Sequence, residues 1–328
     1  MTRAERVREG VVWFTLAALP LSTAAMELGC AVLLVLAIVD GRARRFLDLP
    51  WASAGLLVLG VGALTALASG ELRAGLSGGW ALAPLVGLAG LPDAPDWVER
   101  RCRIALAAAA VASVIALSQR GVGLDPRGTL SHHLTLAYAL VPPFAVAVAR
   151  RSWVVACLVG VGVVASGSDA APIALGVAAL IGLGAGALSA FAAGAVATLA
   201  GLTFLARTSE LGQRAVLWTG GLLVPPGHAG AGGYAAASAS GYERLQPGFW
   251  FPNHAHDSYI QLAATLGGAG WIALLALASV VWRFGHRGAA AGLAGVLVGG
   301  LTQDTVGDLE VTRAAFAWVA VLGLSRRA

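Results

Sequence analysis

The chain reads as an all-α, polytopic membrane protein with about twelve spans, and three observations carry that reading. Hydrophobic residues make up 58% of its 328 residues, charged residues only 12%, and the mean hydropathy is +0.77. A soluble domain carries about 25% charged residues, so this chain has too few to cover a water-facing surface. Apolar stretches of near-spanning length recur from end to end, separated by short polar runs. Glycine (44 residues) and alanine are abundant, as suits helices that pack closely in lipid. Residues 1–328 are expected to form a single integral membrane domain.

The elements follow in order. Val11 to Val39 is long and interrupted by Pro20, Ser22, Thr23 and Glu27, which predicts a hairpin of two short spans. Spans are expected next at 51–69, 76–91, 103–118, 133–149 and 153–166. Ala170 to Leu205 is too long for one span, and Gly184, Gly186 and Ser189 predict a break near its middle. After a polar stretch come 258–282, 288–302 and 310–324. Arginine placement supports this count: with a cytoplasmic N-terminus, fifteen arginines fall on inside segments and seven on outside ones. Both termini are then cytoplasmic.

The net charge of +5 comes from arginine alone, because the chain has no lysine. These arginines lie in short runs between apolar segments, not on one polar face, so membrane lipids are expected as partners and nucleic acid is not. Cys30, Cys102 and Cys157 fall in or beside apolar segments and make no CxxC pair, which predicts no disulfide framework. No cleavable signal peptide is expected.

The outside face carries the chemistry. One connection there, residues 207–256, is roughly fifty residues long, and loops of that size are usually functional or disordered. It contains Trp218, Tyr234, Tyr242, Phe249, Trp250 and Phe251. Its segment "AVLWTGGLLV" suits a short helix at the membrane interface, where Trp and Tyr are favoured. Five of the six histidines fall outside: His132, His133, His228, His254 and His256. Arg127 and Arg214 lie outside as well. Arginine holds phosphate oxygens bidentately, and histidine accepts protons near neutral pH, so the pattern suits an anionic, lipid-linked substrate.

The sharpest segment is "NHAHDSYIQLAATLGGAGWIALL". Polar residues stop at Asp257 and an apolar helix begins, so His256 sits at a helix N-terminus on the membrane surface. Free amides and the helix dipole there favour bound phosphate and a neutral imidazole, whereas Asp257 opposes the latter by favouring the protonated ring. Gly267 and Gly270 are expected to let this helix approach a neighbouring span.

These residues resemble the signature of the O-antigen ligase and O-antigen polymerase superfamily: a His, then usually Asn, Ser or Gln, nine residues, a Gly, and a small or polar residue three further on. "GQRAVLW" is similar to the Arg followed by Leu-Trp at the start of that family's large periplasmic loop. "RGTLSHHLTLAYAL" and "VVASGSDAAPIALGVAALI" are similar to its two mid-chain segments. Order and spacing match across about residues 120–285.

The resemblance implies a GT-C-type architecture in the bacterial inner membrane, with 207–256 as the large periplasmic loop and the active site facing the periplasm. It implies transfer of a glycan from undecaprenyl pyrophosphate to an acceptor hydroxyl, with inversion and with neither metal nor cofactor. The acceptor is lipid A-core for a ligase, a second lipid-linked glycan for a polymerase, or a protein for an O-oligosaccharyltransferase. His256 takes the place of the signature His that activates the acceptor. Arg214 takes that of the loop Arg on the pyrophosphate, and Arg127 is the candidate for a second such Arg. His254, Asp257, His132 and Trp218 are candidates for positioning substrate. Asp257 stands where an amide or hydroxyl is usual, and Asp169 where Arg is frequent; both remove positive character.

Other readings differ in what they require. A permease places ionisable groups mid-span, whereas the spans here are almost purely Ala, Leu, Val and Gly. A scaffold subunit of an envelope complex needs no site at all. A zinc site built from His228, His254, His256 and Asp257 has only an H-x-H pair in an irregular segment behind it, without HExxH on a helix, so no metal is expected.

Overall fold

The computed structural model describes residues 3–48, 52–70, 83–88, 95–130, 132–186, 209–229, 233–248, 254–284, 286–305 and 309–323, with shorter pieces between 189 and 200. Every regular element among them is helical. The first hairpin is α1 (Arg3–Ala18) and α2 (Thr23–Val39). It turns at Pro20, which cannot continue a helix, and Ser22 caps α2 by accepting from the Ala25 amide at 3.3 Å. A 3-10 helix, Arg42–Asp48, leaves α2 at 92°.

Helices α3 (Ala52–Ser69), α4 (Ala83–Leu88), α5 (Pro95–Gly121), α6 (His133–Ala139), α7 (Val141–Ala149), α8 (Trp153–Ala165) and α9 (Ala171–Leu183) follow. Most of the span expected at 76–91 lies outside the described residues. Helix α9 stops at Gly184, whose φ of 112° is a left-handed cap open to glycine. The break expected near 186 falls there; the span expected beyond it lies partly outside the described residues. The remaining helices are α10 (Ser209–Leu222), α11 (Tyr234–Leu245), α12 (Ser258–Phe284), α13 (Arg287–Gly299) and α14 (Leu309–Gly323).

By length and composition alone, two helical stretches, Asp96–Gly121 and Ser258–Arg283, are long and apolar enough to cross a membrane, or three if the bent α2 pair counts as one. Leu28, Val35, Val39, Leu64, Val154, Ile272 and Leu275 are exposed on these and other apolar helices. Apolar surface on this scale is costly in water and at ease in hydrocarbon, which is consistent with membrane association. The three cysteines are free thiols.

Helix α13 is the centre of the bundle and is buried from Gly288 to Gly299. It packs most closely on α7 and α9, and glycine makes that approach possible. A methyl group at Gly292 would lie 2.8 Å from Pro142 Cα, and one at Gly299 would lie 2.2 Å from the Tyr138 ring. Two buried arginines of this bundle are paired. Arg101 and Glu9 form a double ion pair, Nε–Oε1 at 2.9 Å and NH2–Oε2 at 2.7 Å, and Trp13 Nε1 donates to the same carboxylate. Arg313 of α14 meets Glu27 of α2 at 2.8 Å.

The apolar helical stretch expected at 258–282 is present and carries a break at Gly267. Gly267 has φ 63° and ψ −155°, a conformation essentially confined to glycine. The Trp271 indole donates to the Tyr259 carbonyl at 3.1 Å, although twelve residues of straight helix would separate them by about 18 Å. Thus α12 is two limbs, and the first, ending at Leu266, is about 13 Å long and too short to span. A methyl group at Gly270 would lie 2.6 Å from the Leu266 side chain, one turn back across the break. The break frees carbonyls at the end of the first limb. The amides of Gly227 and Ala229 take those of Ala263 and Ala264, at 2.8 and 3.1 Å.

Candidate functional site

The long connection is a folded cap. Tyr234 and Tyr242, both on α11, meet through their hydroxyls at 2.8 Å, and Tyr242 joins α11 to α10 by donating to the Leu217 carbonyl at 2.9 Å. Leu217, Val224, Tyr234, Tyr242, Ala255 and Ala264 make a second apolar cluster that seats this cap on the first limb of α12. "AVLWTGGLLV" is helical through Leu222, within α10. Phe249, Trp250 and Phe251 lie outside the described residues.

His256 stands at the junction of this cap, the start of α12 and the turn after α13. Its φ is 54°, left-handed and uncommon for a residue with a side chain. Its Nδ1 lies 3.3 Å from Gln303 Oε1. Ser258 rivets the same turn to α12: its amide donates to the Gly300 carbonyl at 2.8 Å and its hydroxyl to the Gln303 carbonyl at 3.2 Å. Thr305 continues the network by donating to the Val296 carbonyl at 2.8 Å. Arg214, half-buried on α10, donates through NH1 to the Thr302 carbonyl at 2.7 Å. It pairs with no carboxylate among the described residues.

Burial pushes the His256 pKa below the ordinary imidazole value; the Gln303 hydrogen bond opposes this, and the charges of Arg214 and His132 add to it. The ring is therefore neutral at neutral pH. His254, with its ring centroid 4.3 Å from that of His256, is pushed down to about 4, by burial first and then by the neighbouring imidazoles. His254 Nδ1 accepts from the His256 amide at 3.4 Å.

Asp257 corrects two expectations. It is the N-cap of α12: its Oδ1 accepts from the amides of Tyr259 and Ile260 at 2.8 and 2.9 Å. Those amides, and that of Ser258, are thus taken and not open to phosphate. The carboxylate faces the helix backbone and is not among the groups that shift His256. Burial raises its own pKa to about 6, against the pull of the two amides.

His132 caps α6, its Nδ1 accepting from the Leu134 amide at 3.2 Å, and its field reaches both site histidines. Trp218 lies one turn beyond Arg214 on α10, and its buried indole nitrogen has no partner among the described residues. Arg127 is exposed on the turn between α5 and α6, and no described contact joins its side chain to His256. The structure thus groups His254, His256, Arg214 and the field of His132, with Asp257 turned away and Arg127 apart. Sequence reasoning passed over Ser258, Thr302, Gln303 and Thr305. Ser258 directly follows the signature pair, whereas the other three carry no spacing signal. Among the described residues no three His, Cys, Asp or Glu side chains converge as metal ligands would. No protein-family model matches the chain, and no curated protein matches it.

Proposed function

We propose that this chain is a glycosyltransferase of the bacterial inner membrane. It moves a glycan from undecaprenyl pyrophosphate to an acceptor hydroxyl on the periplasmic side, with lipid A-core as the acceptor. The reading takes the chain as a GT-C-type protein of about twelve spans with both termini cytoplasmic. The observation that carries it is the pairing of a neutral, half-buried His256 with an arginine that has no carboxylate partner among the described residues. One group suits proton acceptance and the other suits an anion.

The step is a single displacement. The acceptor oxygen attacks the anomeric carbon as its proton passes to His256. The bond from that carbon to the pyrophosphate oxygen breaks, and undecaprenyl pyrophosphate leaves with the electron pair. Configuration inverts because attack and departure are on opposite faces. Arg214 offsets the charge that develops on the leaving group, commonly the largest catalytic contribution. His256 then releases its proton to water. Arg127 is assigned no step.

The test is glycan transfer in proteoliposomes supplied with undecaprenyl-pyrophosphate-linked glycan and acceptor, comparing wild type with His256→Ala at matched protein level. A loss of about 10²–10⁴-fold with lipid-glycan binding retained is the expected result. The mass of the product identifies the acceptor. Undiminished transfer by the variant would remove His256 from the reaction.

A further inference from the structure

We propose that Gln303 fixes the tautomer of His256: its amide oxygen holds the proton on Nδ1 and leaves Nε2 as the open, proton-accepting nitrogen. The inference rests on the reading of His256 as a general base and adds the residue that orients it. Which nitrogen of a histidine carries the proton is decided by the hydrogen bond that the other nitrogen makes. Here the only side-chain hydrogen bond of the His256 ring among the described residues is the 3.3 Å contact from Nδ1 to Gln303 Oε1.

Gln303 is well placed for that task. It is buried, and its own carbonyl and the Gly300 carbonyl are both bound by Ser258, two residues beyond His256. The chain on each side of the contact is therefore held by the same serine. The left-handed backbone at His256 lies in the same short segment, two residues before α12 begins.

The surroundings explain why an amide serves better than a carboxylate. Arg214 and His132 face His256 with positive fields, the His254 ring lies beside it, and Asp257 is turned into α12. Asp304 Oδ1 lies 3.4 Å from the Ser258 hydroxyl oxygen. A carboxylate at 303 would orient the ring equally well but would also hold a second proton on it. A neutral acceptor orients the base without charging it, the role that asparagine takes in Cys-His-Asn sites. Neighbouring His254 takes the opposite tautomer. Its Nδ1 accepts from the His256 amide, so its proton is on Nε2.

Solid-state ¹⁵N NMR of histidine-labelled full-length protein in lipid bilayers reads both tautomers directly, with His256 assigned by difference from His256→Asn. The expected wild-type spectrum at neutral pH has His256 protonated at Nδ1 and His254 at Nε2. Gln303→Met moves the His256 proton to Nε2 and leaves His254 unchanged. A wild-type His256 protonated at Nε2, or a tautomer untouched by Gln303→Met, overturns the proposal. Gln303→Glu keeps the acceptor and the volume, and serves if the Met variant does not fold. It retains the Nδ1 proton and raises the pH at which the ring charges; failure to do so equally overturns the proposal. In the transfer assay Gln303→Met lowers kcat by about 10–100-fold, the size of loss seen when the orienting partner of a metal-bound histidine is removed, with KM little changed. Absence of transfer in wild type would remove the glycosyltransferase reading, while the spectra still decide the tautomer.

Discussion

Two polar clusters lie within this largely apolar bundle, and they are built differently. Around Glu9 and Arg101 the guanidinium and carboxylate bond each other twice, Trp13 adds a donor, and the side chains are 0% and 5% exposed. Around His256 the donors and acceptors are only partly used. Among the described residues Arg214 spends one bond on a backbone carbonyl and the ring has an open nitrogen, and the backbone is left-handed. Saturated buried charge holds helices together, whereas unsaturated charge beside a strained residue leaves capacity for a ligand.

The sharpest way to break this contrast is to open the saturated cluster. Arg101→Ala leaves Glu9 buried without its partner and is expected to cost about 3–5 kcal/mol, read as loss of folded protein in detergent thermal melts. Arg214→Ala should do the reverse. Its melting temperature stays near wild type, while transfer falls by about 10²–10³-fold, as when a donor to developing charge is removed. If Arg214→Ala unfolds the protein and Arg101→Ala does not, the roles of the clusters are exchanged.

Two smaller effects sharpen the comparison at the His256 end. Gly267→Ala keeps ordinary contact distances, since a Cβ would lie 3.4 Å from the Gly227 nitrogen. Its cost is therefore conformational, about 1–3 kcal/mol, and is read in melts and in faster hydrogen exchange at Gly227 and Ala229. Asp257→Asn retains the cap and removes a buried charge. The native carboxyl titrates at about 6 against an ordinary 3.8, so between those values the folded state binds more protons than the unfolded one. Asp257 thus favours folding below that window and disfavours it as pH rises through about 6. The variant should lose this slope and gain on the order of 1 kcal/mol at neutral pH, measured as melting temperature against pH. A steeper slope in the variant would refute this assignment.

The sequence by itself determined what depends on neighbours along the chain. Apolar runs set the helices, Pro20 set the first turn, Gly184 set the end of α9, and the switch from polar to apolar at Asp257 set the start of α12. Each follows from hydropathy or backbone freedom within a few residues. His256 and Arg214 stood out as candidates because a histidine at a helix edge and an arginine in the long polar connection contrast with an apolar background.

Only the tertiary structure decided which groups meet. Gln303 is 47 residues from His256, and Thr302 is 88 from Arg214; no spacing rule connects them. The Gly267 reversal was equally hidden, because glycine permits a left-handed backbone without requiring one, and only the docking of Gly227 against it selects that state. Asp257 faces its own helix because burial leaves its carboxylate no better donors than the Tyr259 and Ile260 amides. Local hydropathy dictates where the helices run, whereas hydrogen bonds between distant segments form only once packing has closed the space between them.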